Sequence, residues 1–86
     1  MEILLSSIAK NDLRLLIRIF KAEDKENAKI FLKVIKKSIQ KIVDLNKNLD
    51  IKGAEIQIYK TDIFPVSIHY IIEKKNTLFV TAIFKD

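Results

Sequence analysis

FPVSIHYIIEKKNTLFVTAIF, residues 64–84, decides the fold. Phe64, Val66, Ile68, Tyr70 and Ile72 alternate with Pro65, Ser67, His69, Ile71 and Glu73. That period of two predicts a strand with one buried face. Lys74, Lys75 and Asn76 break the pattern as a polar turn, and a second strand is predicted over residues 77–84. Its two faces, Leu78/Val80/Ala82/Phe84 and Phe79/Thr81/Ile83/Lys85, do not differ enough in hydrophobicity to be ranked.

Upstream of Gly53, the only glycine, the apolar spacing is helical instead. Ile8, Ala9, Leu13, Leu16, Ile17 and Phe20 form one stripe, with Ser6 or Ser7 available to cap the helix start. Leu15 and Ile19 form a second apolar ridge, read as a wider buried face or a partner surface. Asp24 is placed to cap a second helix, in which Ala28, Phe31, Leu32, Ile35, Ile39, Ile42 and Val43 make a long stripe reaching about Asn46. The short connection at residues 22–23 predicts an antiparallel helical hairpin, and Asn48, Asp50 and Gly53 mark the loop after it. Glu2 to Leu5 reads as a first strand, and Ile56 and Ile58 alternate with Glu55, Gln57 and Tyr59 as another. The expected fold is α+β, in the order β-α-α-β-β-β, with the helical hairpin on one face of a small antiparallel sheet.

Eighty-six residues make one domain, 1–86, whose small core must rest on apolar packing, for which a 49% hydrophobic composition is sufficient. The absence of cysteine excludes disulfides and thiolate metal sites, and one histidine is too few for a typical zinc site, so no metal or cofactor is expected. No apolar run approaches the roughly 18–20 residues that span a bilayer, and the N-terminus does not read as a secretory signal. A soluble cytoplasmic protein with no membrane contact is the expectation.

The net charge of +5 is concentrated: residues 25–41 hold six lysines against one acid, Glu26, and the rest of the chain balances. Lys29, Lys33, Lys36 and Lys37 on this stripe are candidates for contact with nucleic acid or an acidic target, set against an ordinary solvated helix face. On the sheet, the face opposite Val66 and Ile68 is expected to carry Ser67, His69, Gln57, Tyr59, Thr81 and Lys85 as a single polar patch. Imidazole can exchange a proton near neutral pH, so His69, Tyr59 and Lys85 are candidate acid–base residues at a nucleic-acid phosphate, with Gln57 and Lys60 as candidate contacts to the target or nucleic acid. A half-solvated sheet face needs polar residues in any case, and that reading stands beside the catalytic one. The chain carries no Gly-rich phosphate loop, paired-carboxylate motif or nucleophile elbow.

These stretches resemble the RelE/ParE superfamily of small toxins from bacterial type II toxin–antitoxin modules, nearer the ParE-like branch. Ser6, Ala9, Asp12 and Leu13 are similar to its S-x-x-A-x-x-D-L start, and Ala28 and Phe31 to its A-x-x-F second helix. FPVSIHY at 64–70 and VTAIF at 80–84 are similar to its F-P-x-x-I-x-Y and V-x-A-V-F strands. The resemblance implies the same fold, a cognate antitoxin as partner, and growth inhibition. ParE-like members, associated with plasmid stabilisation, poison DNA gyrase; RelE-like members cut messenger RNA on the ribosome. The residues that serve many RelE-like sites are not matched: Gln57 stands where many relatives carry arginine, Lys85 where they often carry histidine or asparagine, and Arg14 and Arg18 lie on the first helix. The polar tail common in relatives is not matched after Asp86 either, so a degenerate, non-toxic interaction module of the same fold is a third expectation. Leu15 and Ile19 are the candidate partner interface.

Overall fold

The computed structural model of the protein describes residues 1–46, 55–73 and 76–86. Its elements are β1 (Glu2–Leu5), α1 (Ser7–Glu23), α2 (Lys25–Asn46), β2 (Gln57–Lys60), β3 (Val66–Glu73) and β4 (Thr77–Lys85). The expected order β-α-α-β-β-β is the observed one. The expected loop at Asn48, Asp50 and Gly53 and the turn residues Lys74 and Lys75 lie outside the described residues.

Serine and aspartate side chains set the helix boundaries. Ser6 caps α1, its Oγ accepting from the Ala9 N–H at 2.9 Å and donating to the Thr81 carbonyl at 2.7 Å. Asp24 serves both helices. Its N–H donates to the Phe20 carbonyl and closes α1, while its Oδ1 accepts from the Glu26 N–H at 2.9 Å and opens α2. The connection therefore narrows from residues 22–23 to Asp24 alone, because the helix retains its bonding through Glu23.

The strands form one sheet in the order β1-β4-β3-β2. Pairs β2·β3 and β3·β4 are antiparallel, but β1 runs parallel to β4, so the sheet is mixed and not purely antiparallel. The reason lies at the end of β1. Ser6 is bonded to Val80 and Thr81 through its N–H and hydroxyl, so β1 must deliver the chain to the middle of β4 in that direction. Asp12 reinforces the seat, its Oδ2 accepting from the Ile83 N–H at 3.0 Å.

Between helices and sheet lies the core: Ala9, Leu16 and Phe20 from α1, Phe31, Ile35 and Ile42 from α2, and the inward residues of β3 and β4. The rings of Phe20, Phe31 and Phe64 meet pairwise at 4.9, 4.8 and 5.4 Å between centroids, at tilted and edge-on angles that suit the aromatic quadrupole. Phe64 reaches this cluster because the corner before β3 is tight. The Thr61 hydroxyl donates to the Phe64 and Val66 carbonyls, and Pro65, which has no N–H to leave unpaired, stays exposed at the bend. Ile8, Leu15 and Ile19 are exposed, so α1 buries a narrower face than its composition suggests.

A bulge in β4 resolves the unranked faces. His69 pairs with Ala82 and Tyr70 with Val80, which leaves Thr81 as an extra residue. Leu78 and Val80 point to the helices before the bulge, and Ile83 and Lys85 after it, so neither of the two unbroken alternations expected from sequence is correct.

Candidate functional site

The sheet face away from the helices is the first candidate. Paired residues on neighbouring strands share a face, so the register places its side chains in rows. Leu4 of β1, Phe79 of β4 and Ile71 of β3 form one row; Ala82, His69 and Ile58 form the next; Phe84, Ser67 and Lys60 form a third. Of these, Ile58 is 60% and Phe84 49% exposed. This surface is an apolar band with one imidazole near its centre, not the polar patch expected from alternation. The His69 ring stands edge-on to Phe84, centroids 4.7 Å apart and planes at 71°. Ser67 is buried and donates to the Asp86 carboxylate at 2.6 Å, while the Asp86 N–H donates to the Pro65 carbonyl, so this polar corner is internally satisfied.

The expected catalytic trio is divided between the two faces. Tyr59 pairs with Ile68 and packs against the core on the helix side. Gln57, opposite Tyr70, shares that side. Lys85 pairs with Val66, and its ammonium lies 6.0 Å from the Phe20 ring centroid, at the outer limit of a cation–π contact. His69 alone faces outward. Lys60, paired with Ser67, is the one candidate lysine on the same side as His69. Among the described residues the imidazole has no hydrogen-bonded acid or base partner: Lys60 and the Asp86 carboxylate share its face, but Asp86 is bonded to Ser67 and neither is bonded to the ring.

The lysines of α2 form a separate surface. Lys29 pairs with Glu26 at 3.6 Å, both side chains being well exposed. Lys33 and Lys37 line a groove of about 330 Å³ between α2 and the corner after β2, whereas Lys36 is exposed outside it. At the groove's edge the Lys41 ammonium donates to Asp62 Oδ2 at 3.2 Å. That hydrogen bond and the carboxylate's charge, with a further contribution from Tyr59, hold the Lys41 pKa above its ordinary value. Leu15 and Ile19 lie on α1, exposed and four residues apart.

Sequence reasoning missed the apolar band and the groove for different reasons. Ile30 and Val34, interleaved with the lysines of α2, signal the groove, but its opposite wall comes from Asp62 and Ile63, distant in the chain. The band depends on the β2 register and the Thr81 bulge, neither of which the residue pattern marks.

No helix among the described residues is long and apolar enough to cross a membrane, and no group of three or more potential metal ligands is found among them. No protein-family model, no curated protein and no solved structure matches the chain.

Proposed function

We propose that this chain is a ParE-like toxin of a type II toxin–antitoxin module, working in the cytoplasm by binding a cellular target and neutralised by a cognate antitoxin. DNA gyrase is the target that the resemblance of its strands and helices implies. The observation that carries the reading toward binding and away from cleavage is the composition of the open sheet face. Leu4, Ile58 and Phe84 are exposed and Phe79 and Ile71 half-buried between them, and such an apolar surface offers contact area to a protein partner. Ribosome-dependent cleavage would need acid and base groups on one face, and His69 is separated from Tyr59 and Lys85 by the sheet.

The test is tightly controlled expression of this chain alone and together with its neighbouring gene. Growth arrest relieved by the neighbour, with inhibition of gyrase supercoiling by the purified chain, is the expected result. Undisturbed growth would transfer the reading to the non-toxic interaction module, and arrest with cleaved messenger RNA would transfer it to the nuclease branch.

A further inference from the structure

The groove on α2 belongs to the helix layer, on the opposite side of the sheet from the face used above. Its wall follows one helical stripe, with Ile30 and Val34 as an apolar floor and Lys33, Lys37 and Lys41 at intervals of four residues beside it. Four residues of helix rise about 6 Å, so Lys33 and Lys37 follow one another by about one turn, and Lys41, a turn further on, is held by Asp62 at the groove's edge. Ile63 closes the far side and is 71% exposed, while Ile30 is 42% exposed. Two such aliphatic side chains left in water beside a row of cations call for an occupant that is both apolar and anionic. Ser38 adds no free donor, because its hydroxyl already donates to the Val34 carbonyl at 2.7 Å.

We propose that this groove docks an acidic amphipathic helix of a partner protein. Glutamates four residues apart on that helix would match Lys33 and Lys37, Lys41 being already paired with Asp62, and a leucine-type anchor between them would cover Ile30, Val34 and Ile63. Charge complementarity gives orientation and encounter rate, and the aliphatic floor gives the dry centre. Nucleic acid fits less well. Among the described residues its lining holds no aromatic ring on which a base could stack and no arginine fork for a phosphate, and Asp62 adds a negative charge at the rim. A second hollow between the helices, lined by Lys21, Lys25 and Lys29, fits less well because its apolar lining, Ile17, Ala28 and Leu32, is half-buried or buried, whereas Ile30 and Ile63 stand exposed. The inference is independent of whether the chain is a toxin.

The test uses the full chain and a fluorescein-labelled helical peptide with glutamate at every fourth position and leucines on the same face. A glutamine-for-glutamate peptide and a single-stranded oligonucleotide of equal charge serve as comparators. Binding that weakens with salt is expected, with Lys33→Glu/Lys37→Glu raising the dissociation constant about tenfold or more and Lys10→Glu/Arg14→Glu changing it by about twofold or less. Ile63→Ser, which alters an exposed side chain and no charge, should weaken the same peptide. Equal losses in the two charge-reversal variants, indifference to Ile63→Ser, tighter binding of the oligonucleotide, or no peptide binding would each overturn the proposal.

Discussion

Thr81 donates its hydroxyl to the backbone carbonyl of His69 at 3.2 Å, at the point where β4 carries one residue more than β3 can pair. This bond pins the bulge that turns Ile83 inward and Phe84 outward. Removing Thr81 would leave Val80 and Ala82 adjacent, which is the order that uninterrupted alternation requires for their observed faces. Deleting Thr81 is therefore expected to leave a cooperatively unfolding protein with Leu78, Val80 and Ile83 still buried. Deleting Phe79, two residues earlier, forces Leu78 or Val80 into water and should abolish cooperative unfolding. Thermal unfolding followed by circular dichroism compares the two; a folded Phe79 deletion beside an unfolded Thr81 deletion would contradict the parity argument.

Ser6 holds the other side of the same bulge. Its hydroxyl accepts from Ala9 as the α1 cap and donates to the Thr81 carbonyl, so one substitution removes two bonds. Ser6→Ala is expected to cost about 1–2 kcal/mol, the upper part of the range for a lost cap. Ser7→Ala, one residue inside the helix and exposed, should cost only a few tenths of a kcal/mol on general grounds for surface positions. Urea denaturation of the pair checks the assignment, and equal losses would remove the special role of Ser6.

Much of the architecture is legible in the sequence because it follows from local rules. The helical stripe ending in Phe20, the capping aspartate at 24 and the alternation from Phe64 to Ile72 each specify their element without reference to a neighbour. The face of a short strand is not local. Ile58 of β2 and Ile56 just before it are the more apolar set, yet both are exposed, because the pairing of Tyr59 with Ile68 decides which side of β2 faces the helices. The same limit applies to the candidate site: alternation alone puts Tyr59 and Gln57 with His69, and the register separates them.

Phe31 is fully buried at the meeting point of the three rings. Phe31→Ala would leave a cavity that Phe20 and Phe64 cannot fill without giving up their own contacts. The expected loss is about 3–5 kcal/mol, a large share of the stability of a domain this size. Phe31→Leu keeps most of the volume and should cost markedly less. Denaturant midpoints for both variants measure the difference, and a Phe31→Ala protein as stable as Phe31→Leu would show that the ring cluster is not the centre of the core.

Folding raises the Lys41 pKa above its ordinary 10.5, first through the hydrogen bond to Asp62, then through that carboxylate's charge. A raised value means that the protonated form favours the folded state. The contribution is whole below 10.5 and is lost as pH climbs through the higher folded value. Both side chains are exposed, so the effect is small and screened by salt. The gap in unfolding midpoint between the native chain and Lys41→Met should stay constant from about pH 7 to 9 and close above the ordinary lysine range. A gap that grows on raising the pH would reverse the sign argued here.

The binding reading and the catalytic reading of the open face differ over which neighbour of the His69–Phe84 pair matters. If the face works as a contact surface, Phe84→Asp places a charge in the apolar band and should abolish growth arrest, while His69→Gln keeps a polar group of similar reach and should reduce it little. If His69 transfers protons, the order reverses, since glutamine cannot do so and Phe84 only flanks the ring. Phe84 is half exposed, so its substitution should leave the fold intact, which circular dichroism verifies before toxicity is scored. A second pair separates the faces themselves. Ile58→Lys, beside His69 in register, should act like Phe84→Asp, whereas Gln57→Lys, on the helix side of the same strand, should be silent. Loss of toxicity in Gln57→Lys with none in Ile58→Lys would place the working surface on the other side of β2.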